Sequence, residues 1–374
     1  MERREYLTYP LAGSAVASVV AKSLFVNVEN PSLDGGTFCR EGHGFRIWER
    51  KRKLVLPQRE AAICIGAFDG LHLGHRMLAE ETMEDARSRG CLAVAVTFDP
   101  LPSEFFKKGL SSHRLLSVEE RAFALLSTGL DAVIMMDFDR SLADTSYQDY
   151  LLKVLPSFLH VTSIHVGTNF CLGKGGLGTA EALRELGASH GVSVHTHSLV
   201  EEDGSRISAT RIRGLLHEGQ VEEAARLLGR LHFVTGTVEH GRGEGGSFGF
   251  PTANVRIDRM RCMPGEGVYA GLVYSDDWAW PAAINVGAPP TFSTPDPAFL
   301  EATLLGFKGD LYGRTVKVLF SSWLRASRPF DSLEELERTV LGNIDWVRQN
   351  LGDQGVRVIS DARANADASV EVDA

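Results

Sequence analysis

Apolar and polar residues follow a regular pattern through the first half of the chain. Short apolar runs predict buried strands at 61–66, 92–98, 132–138, 163–167 and 192–200. Between them, apolar residues recur every three or four positions, which predicts helices at 75–89, 118–127, 147–155 and 179–190. Strands and helices that alternate at this spacing predict a parallel sheet with helices on both faces.

The pattern changes after two further predicted helices, at 210–217 and 221–228, and Gly229-Arg230 marks a boundary. A helix is predicted again at about 332–350, with Ser332 as its N-cap and Glu335 three residues later. Between the boundary and this helix, Gly, Pro and Asp separate strand-like runs, which predict a small antiparallel barrel. These runs are 233–240, 267–274, 279–286, 299–306 and 315–324.

The two ends of the chain show no sustained period. The apolar stretch 12–28 is short and is interrupted by Lys22, and the mixed charges before it argue against a secretory signal. We expect an unstructured leader there, or a start codon assigned too far upstream, and a disordered polar tail at the other end. The predicted division is 1–55 leader, 56–229 sheet domain, 230–351 barrel domain and 352–374 tail.

Composition narrows the function classes. The chain has 374 residues, is 44% hydrophobic and 23% charged, and carries a formal net charge of -9, which disfavours a broad surface for nucleic acid. No apolar run reaches the roughly 20 residues that cross a bilayer, so we expect no membrane span. The five cysteines are widely spaced without a CxxC pair, as expected for reduced thiols in the cytoplasm.

The loop after the first predicted strand reads Gly66-Ala67-Phe68-Asp69-Gly70-Leu71-His72-Leu73-Gly74-His75. Glycines allow a tight turn, and the free N–H groups at a helix start attract phosphate. His72 and His75 can donate hydrogen bonds to phosphate oxygens. A purely structural role at the helix start and an HxxH zinc site are alternatives, although no third zinc ligand is evident. The order of strand, glycine loop, two histidines and helix favours a phosphate site.

A second glycine-rich segment lies in the barrel domain. Residues 241–246 form a GxGxxG pattern, which is weak evidence without a following helix. Residues 249–254 then read Gly-Phe-Pro-Thr-Ala-Asn. The Thr252 hydroxyl and the Asn254 carbonyl are oxygen ligands suited to Mg²⁺, although Pro, Thr and Asn also form ordinary turns.

These two motifs carry a resemblance to the bacterial bifunctional riboflavin kinase and FAD synthetase family. Residues 66–75 resemble its GxFDGxHxGH signature, and 249–254 match its GFPTAN motif. Residues 97–102, where Leu101 replaces a usual His, also resemble family segments, as do 167–173 and 208–213. The resemblance covers about 60–351.

The resemblance implies a fold and two reactions. The fold is a Rossmann-like HxGH nucleotidylyltransferase domain with a parallel sheet, followed by a small antiparallel β-barrel riboflavin kinase domain with a C-terminal helix. The barrel domain would phosphorylate riboflavin to FMN, and the sheet domain would adenylylate FMN to FAD with release of pyrophosphate. Both would use ATP with Mg²⁺, and neither nucleic acid nor a membrane is an expected partner. The resemblance implies no oligomeric state.

The resemblance also assigns roles to residues. Ser208 and Thr210 either cap the following helix or hold the β- and γ-phosphates of ATP, with Arg213 as a fork to their oxygens. Glu301 would be the general base for the riboflavin hydroxyl, although such a residue alone is more often a surface acid. The catalytic set is His72, His75, Asn169, Ser208, Thr210, Arg213 and Glu301. The binding set is Gly66, Phe68, Asp69, Gly74, Gly241, Gly249, Thr252, Asn254 and Arg325, with Thr252 and Asn254 as metal ligands.

One departure from the family pattern keeps alternatives open. The glycine loop has Glu244 and Gly246 where the family carries basic residues, and an acid there would weaken ATP binding. The alternatives are a monofunctional FMN adenylyltransferase with a degenerate kinase domain, a non-catalytic flavin-binding regulator, and a cytidylyl- or pantetheine-directed transferase.

Overall fold

The computed structural model describes most of the chain in nine segments, and its residues form two compact units. The sheet unit comprises the described residues within 28–112 and 116–208, and the barrel unit those within 1–27, 113–115 and 209–374. The predicted domain boundary at Gly229 therefore falls inside the barrel unit. The described segments are 9–11, 13–26, 32–33, 38–40, 42–50, 59–106, 113–240, 252–287 and 299–358.

The described residues contain ten α-helices and nineteen strands. The helices are α1 Gly13–Leu24, α2 Leu73–Arg89, α3 Pro102–Phe106, α4 Val118–Ser127, α5 Arg140–Asp144, α6 Tyr147–Asp149, α7 Ala180–Ala188, α8 Ala209–His217, α9 Val221–Leu228 and α10 Leu333–Leu351. The strands are β1 Ser32–Leu33, β2 Phe38–Arg40, β3 His43–Glu49, β4 Glu60–Ile65, β5 Leu92–Asp99, β6 Ala132–Asp137, β7 His160–Gly167, β8 Cys171–Leu172, β9 Gly178–Thr179, β10 Ser193–His197, β11 Glu201–Glu202, β12 Ser205–Arg206, β13 His232–Glu239, β14 Thr252–Ile257, β15 Gly267–Ser275, β16 Trp278–Gly287, β17 Phe299–Leu304, β18 Thr315–Arg325 and β19 Val356–Arg357.

The main sheet of the sheet unit confirms the predicted parallel arrangement. Its strands follow the order β1-β3-β6-β5-β4-β7-β10, and all pairings from β6 to β10 are parallel. Nearly every residue of β4 and β5 is buried, whether its side chain points to one face or the other. Both faces of these strands are therefore covered, as parallel sheets require.

The expectation of an unstructured leader was wrong for its described parts. Helix α1 buries Val16, Val20 and Leu24, which are four residues apart and so lie on one side of the helix. The backbone N–H of Leu231 donates to Ser23 at its end, and the Phe25 ring lies 6.3 Å from that of Phe233. This apolar stripe attaches α1 to the barrel unit.

Strand β3 was also missed, because it falls within the same expected leader. It pairs antiparallel with β6, with Phe45 opposite Met136 and Ile47 opposite Ile134. Buried and half-buried residues alternate at the start of β3, and the residues at its end are all buried. β3 thus extends the parallel sheet by an antiparallel strand that covers what would be the edge of β6.

The barrel unit contains the predicted barrel. Strands β15, β18, β13, β14, β17 and β16 pair in that order, and β16 pairs back to β15, so the six-stranded sheet is closed. Helix α10 begins after Ser332, whose side chain accepts a hydrogen bond from the Glu335 N–H at 3.1 Å. Part of the expected tail is ordered, because Arg357 of β19 pairs with Trp278. Among the described helices, none has the length and apolarity of a membrane span.

Candidate active sites

The loop between β4 and α2 has a strained, buried backbone. Phe68 and Leu71 adopt left-handed φ angles of 50° and 42°, although both side chains are fully buried. Non-glycine residues rarely adopt this conformation, because it costs on the order of 1–3 kcal/mol and persists only where the surrounding structure imposes it. The rest of the unit holds this loop in one conformation, as a preformed ligand site requires.

His72 and His75 lie together at the start of α2. His72 is the N-cap, and its Nδ1 accepts a hydrogen bond from the His75 N–H at 3.4 Å. The two rings stack with centroids 3.7 Å apart, and Phe68 meets His75 edge-on. Because Nδ1 of His72 accepts, the neutral ring carries its proton on Nε2. The pair therefore includes a hydrogen-bond donor beside the positive end of a helix.

Both histidines are uncharged at neutral pH. Burial, aided by the charge of Arg206, lowers the pKa of His72 to about 4. Burial also holds the pKa of His75 well below its ordinary value, with contributions from His72 and Arg121. The same arginines that disfavour a protonated histidine would attract an anion. The site has the electrostatics of a phosphate site before any ligand binds.

Arg121 is a site residue that the sequence analysis missed. It is 2% exposed, and its guanidinium donates to the carbonyl oxygens of Ala67 at 3.0 Å and Phe98 at 2.7 Å. It therefore joins the histidine loop to the end of the neighbouring strand. One sequence feature could have identified Arg121. It is a charged residue inside the apolar pattern of α4, directly after the capping pair Ser117 and Glu120.

Gly66 and Gly74 of this motif leave little room for a side chain, and Asp69 makes a buried hydrogen bond. A Cβ at Gly66 would lie 3.2 Å from the Phe68 ring, and one at Gly74 would lie 3.3 Å from the His72 ring. Asp69 is 2% exposed, and it accepts a hydrogen bond from the Leu116 N–H at 3.3 Å. These residues shape and anchor the loop. Their contact with a nucleotide stays a prediction.

Of the other residues predicted for adenylylation, Asn169 and Ser208 belong to the sheet unit, and Thr210 and Arg213 belong to the barrel unit. Asn169 is exposed in the turn after β7, at the same sheet edge as the histidine loop because β4 and β7 are parallel neighbours. Ser208 follows β12 within the sheet unit. Thr210 and Arg213 lie on α8 of the barrel unit, where Arg213 Nε donates to the His113 carbonyl at 2.7 Å. Their contact with ATP stays a prediction.

The predicted kinase residues meet through strand register. Asn254 of β14 lies directly opposite Glu301 of β17, and Glu301 lies opposite Asn285 of β16. Directly paired residues point to the same face of a sheet. The flanking Ala253 and Ala302 are buried, whereas Asn254, Glu301 and Asn285 are half-buried, so the polar row lies on the outer face of the barrel. Asn285 was not among the predicted site residues.

The donor chemistry of this row fits a hard divalent cation. Thr252 lies two residues before Asn254 and so shares its face, opposite Thr303. The row then offers hydroxyl, amide and carboxylate oxygens, the ligands that Mg²⁺ prefers. Gly241 and Gly249, together with Glu244 and Gly246, lie outside the described residues.

Arg325 has the chemistry of a ligand-binding residue. Its Nε is buried without a hydrogen-bond partner in the described structure, and its guanidinium lies 5.4 Å from the Phe330 ring centroid. Burial and the charge of Arg328 lower its pKa. A buried donor without a partner is costly, so an anionic or carbonyl ligand at Nε would be favourable.

A cavity of about 560 Å³ lies on the barrel beside the polar row. Arg256, one of its lining residues, is two positions after Asn254 on β14 and therefore points to the same face. Arg259 also lines it, with hydroxyls of Thr235, Thr237 and Thr315. The outer face near Asn254 thus continues into a pocket lined by basic and hydroxyl groups and by the carboxylate of Asp258.

Comparison with known proteins connects both parts of the chain to enzyme families. The family model described as FAD synthetase matches residues 56–211, and the model described as riboflavin kinase matches 228–351. A protein of Pseudomonas fluorescens is 35% identical over 293 residues, which are 78% of this chain and 94% of that protein. It is named bifunctional riboflavin kinase/FMN adenylyltransferase, as is a protein of Escherichia coli K12 that is 34% identical over 76% of this chain and 90% of its own length.

Solved structures agree with the fold. A crystal structure from Streptococcus pneumoniae, described as a macrolide-efflux protein, matches with a TM-score of 0.72 and 28% identity. The match covers 77% of this chain and 94% of the pneumococcal chain. Sheet and barrel are therefore found together in a related structure.

Proposed function

This chain belongs to the bifunctional riboflavin kinase/FMN adenylyltransferase family and forms FMN and FAD, and we propose here which residues act in each unit. One observation carries the assignment of the adenylylation site. It is the stacked, neutral pair His72 and His75 at the start of α2, with arginine charges beside it. The efflux activity in the name of the pneumococcal protein does not extend to this chain, because both halves match enzyme models.

In the sheet unit, a phosphate oxygen of FMN attacks the α-phosphorus of ATP. The bond from that phosphorus to the bridging β-oxygen breaks, and pyrophosphate leaves. His72 Nε2–H and the free N–H groups of α2 donate to the phosphate oxygens as negative charge shifts to the leaving group. Arg206 and Arg121 contribute positive potential.

The remaining predicted residues of this site hold substrates. Asn169 lies at the sheet edge where ligands of parallel sheets bind. Ser208 and Thr210 would donate to the β- and γ-phosphates, and Arg213 would exchange its bond to the His113 carbonyl for a phosphate fork. The family resemblance supports these three roles.

In the barrel unit, Glu301 accepts the proton of the riboflavin 5′-hydroxyl while that oxygen attacks the γ-phosphorus of ATP. The terminal phosphate bond of ATP breaks, and ADP leaves. Thr252, Asn254 and Asn285 would hold Mg²⁺ through their oxygens, and Arg325 Nε would donate to a bound anion. When bound, Mg²⁺ neutralises charge on the ATP phosphates.

We further propose the division 56–229 for the adenylyltransferase domain and 230–351 for the kinase domain, flanked by 1–55 and 352–374. We place the enzyme in the cytoplasm, where ATP is available. All five cysteines are free, which supports a reducing compartment.

A product assay tests the two-site assignment. The protein is incubated with riboflavin, ATP and Mg²⁺, and FMN and FAD are separated by chromatography. We expect both products, with FMN appearing first. A second incubation starts from FMN, and FAD formation from FMN without any use of riboflavin would instead indicate a degenerate kinase domain. Replacing Mg²⁺ by EDTA should stop both reactions.

A further inference from the structure

A second group of histidines lies within the sheet unit and has no role in the proposed reactions. His165 of β7 and His195 of β10 are register partners on adjacent parallel strands, so their side chains share one face. Helix α2 packs against β7 and brings Asp85 to the same place. We call Asp85, His165, His195 and His197 the histidine cluster.

The cluster has the geometry of a metal site. Asp85, His165 and His195 each offer one ligand atom, and these three atoms lie within 4.8 Å of one another. Asp85 Oδ2 and His165 Nε2 are 3.0 Å apart, and the rings of His165 and His195 stack with centroids 4.8 Å apart. His165 is buried, whereas His195 is exposed, so the group is open to solvent on one side.

Neighbouring side chains orient the ligands. His165 Nδ1 lies 3.0 Å from His197 Nε2. In the metal-free protein, His165 Nε2–H donates to Asp85 Oδ2. When a metal binds Nε2, the ring proton sits on Nδ1 and is donated to His197. The Ser163 hydroxyl donates to Asp85 Oδ2, and Arg89 Nε donates to Asp85 Oδ1 at 2.7 Å. Such partners around the ligands fix ring orientation and tautomer in metal sites.

The protonation states also suit a cation. Burial lowers the pKa of His165 even though Asp85 opposes the shift, so the imidazole is neutral at pH 7. Burial likewise lowers the pKa of His197, with Glu81 opposing. Although burial works against it, hydrogen bonds from Ser163, Arg89 and His165 lower the pKa of Asp85. A neutral imidazole, as at His165, and an ionised carboxylate, as at Asp85, are the forms that coordinate metals.

We propose that Asp85, His165 and His195 bind one zinc ion, with water in the fourth position and His197 orienting His165. Two imidazoles and one carboxylate are a common zinc ligand set. Asp85 lies twelve residues beyond the start of α2, or about 18 Å along the helix axis. The zinc is thus remote from His72, and it links α2 to the edge strand β10 as a stabilising ion.

The test uses the untagged full-length protein, freed of metal with a chelator. Zinc is titrated in competition with a chromophoric chelator, and bound zinc is counted by mass spectrometry after desalting. We expect one zinc per chain and a higher Tm with zinc. His195→Ala, which changes an exposed side chain, should weaken zinc binding by at least 100-fold. His197→Ala should weaken it by about 10- to 100-fold without changing the stoichiometry.

Two matched variants control for unspecific binding. His160→Ala removes an exposed histidine of β7, the strand that carries His165, and Cys171→Ser removes an exposed thiol. Both should bind zinc as the unmodified chain does. Cobalt in place of zinc should give the visible absorption of a four-coordinate ion, and His195→Ala should lose it. Equal zinc affinity of His195→Ala and His160→Ala, or no zinc bound by the unmodified chain, would overturn the proposal.

Discussion

The two proposed active sites are assembled in different ways. In the sheet unit, the stacked rings of His72 and His75 are positioned by packing against Phe68 and by the start of a helix. In the barrel unit, Asn254, Glu301 and Asn285 are aligned by the backbone register of three strands. Strand register is maintained by main-chain hydrogen bonds and does not depend on any one of these side chains.

This difference predicts how each site responds to change. Removal of one stacked histidine takes away the support of the other, so effects in the sheet unit should be coupled. Removal of one residue from the polar row leaves its neighbours in place, so effects in the barrel unit should be separable.

His75→Ala should reduce FAD formation from FMN by at least about 10³-fold, because it removes a phosphate donor and the ring that supports His72. FMN formation from riboflavin should change less than about twofold. Asn254→Ala should strongly reduce FMN formation from riboflavin and leave FAD formation from FMN nearly unchanged. Each variant is therefore the control for the other. Both rates are measured by chromatography in a protein whose circular dichroism is unchanged. Loss of both activities in either folded variant would contradict independent sites.

Glu301→Gln should lower kcat of FMN formation by about 10²-fold, because the amide cannot accept the hydroxyl proton. The side chain keeps its size, and the cross-strand pairing with Asn254 should persist. The KM for ATP should therefore change little, which would distinguish lost proton transfer from lost metal binding. Asn254→Ala should instead raise the Mg²⁺ concentration needed for half activity. Identical Mg²⁺ dependence of the two variants would argue against separable roles.

Acid should destabilise the sheet unit through His72. Its pKa is about 4 in the folded chain and about 6.5 when unfolded, so the unfolded state binds the proton first as pH falls. The contribution of His72 to the free energy of unfolding is fully present above pH 6.5 and is lost as pH falls from 6.5 to about 4. The shift corresponds to about 3 kcal/mol.

The measurement is urea unfolding at pH 7 and pH 4.5, with His72→Asn as the comparison. The variant should lose less stability on acidification than the unmodified chain. His232 of the barrel unit, whose pKa burial lowers to about 3, acts in the same direction in both proteins and so does not obscure the difference. Equal acid sensitivity of both proteins would show that His72 is not buried in its neutral form.

The contrast also explains what could be predicted from sequence. The motif around His72 is local, so glycines, histidines and the following helix could be recognised together. The row of Asn254, Glu301 and Asn285 depends on register between strands distant in sequence, which apolar spacing does not specify. β14 itself, Thr-Ala-Asn-Val-Arg-Ile, was interpreted only as part of a motif, although its burial alternates.

The N-terminal elements and Arg121 were missed for other physical reasons. Helix α1 has only one narrow apolar stripe, and the burial of β3 alternates over its first four residues and is continuous over its last three, so neither shows one sustained period. Both are stabilised by tertiary packing, which a local pattern does not contain. Arg121 can be buried because its two terminal nitrogens donate to backbone carbonyls, and those carbonyls come from distant segments.

Gly74→Ala should have the smallest effect and tests the packing of the sheet site most directly. The new Cβ would lie 3.3 Å from the His72 ring, so the ring must shift by a few tenths of an ångström. Misplacement on this scale should lower FAD formation by about tenfold and leave FMN formation unchanged. Gly342→Ala in α10 is the matched control, because its Cβ meets nothing within 4 Å. It should stabilise the protein by about 0.5–1 kcal/mol without changing either rate. If Gly74→Ala behaved as Gly342→Ala does, the close packing of His72 on the first turn of α2 would not be needed for adenylyl transfer.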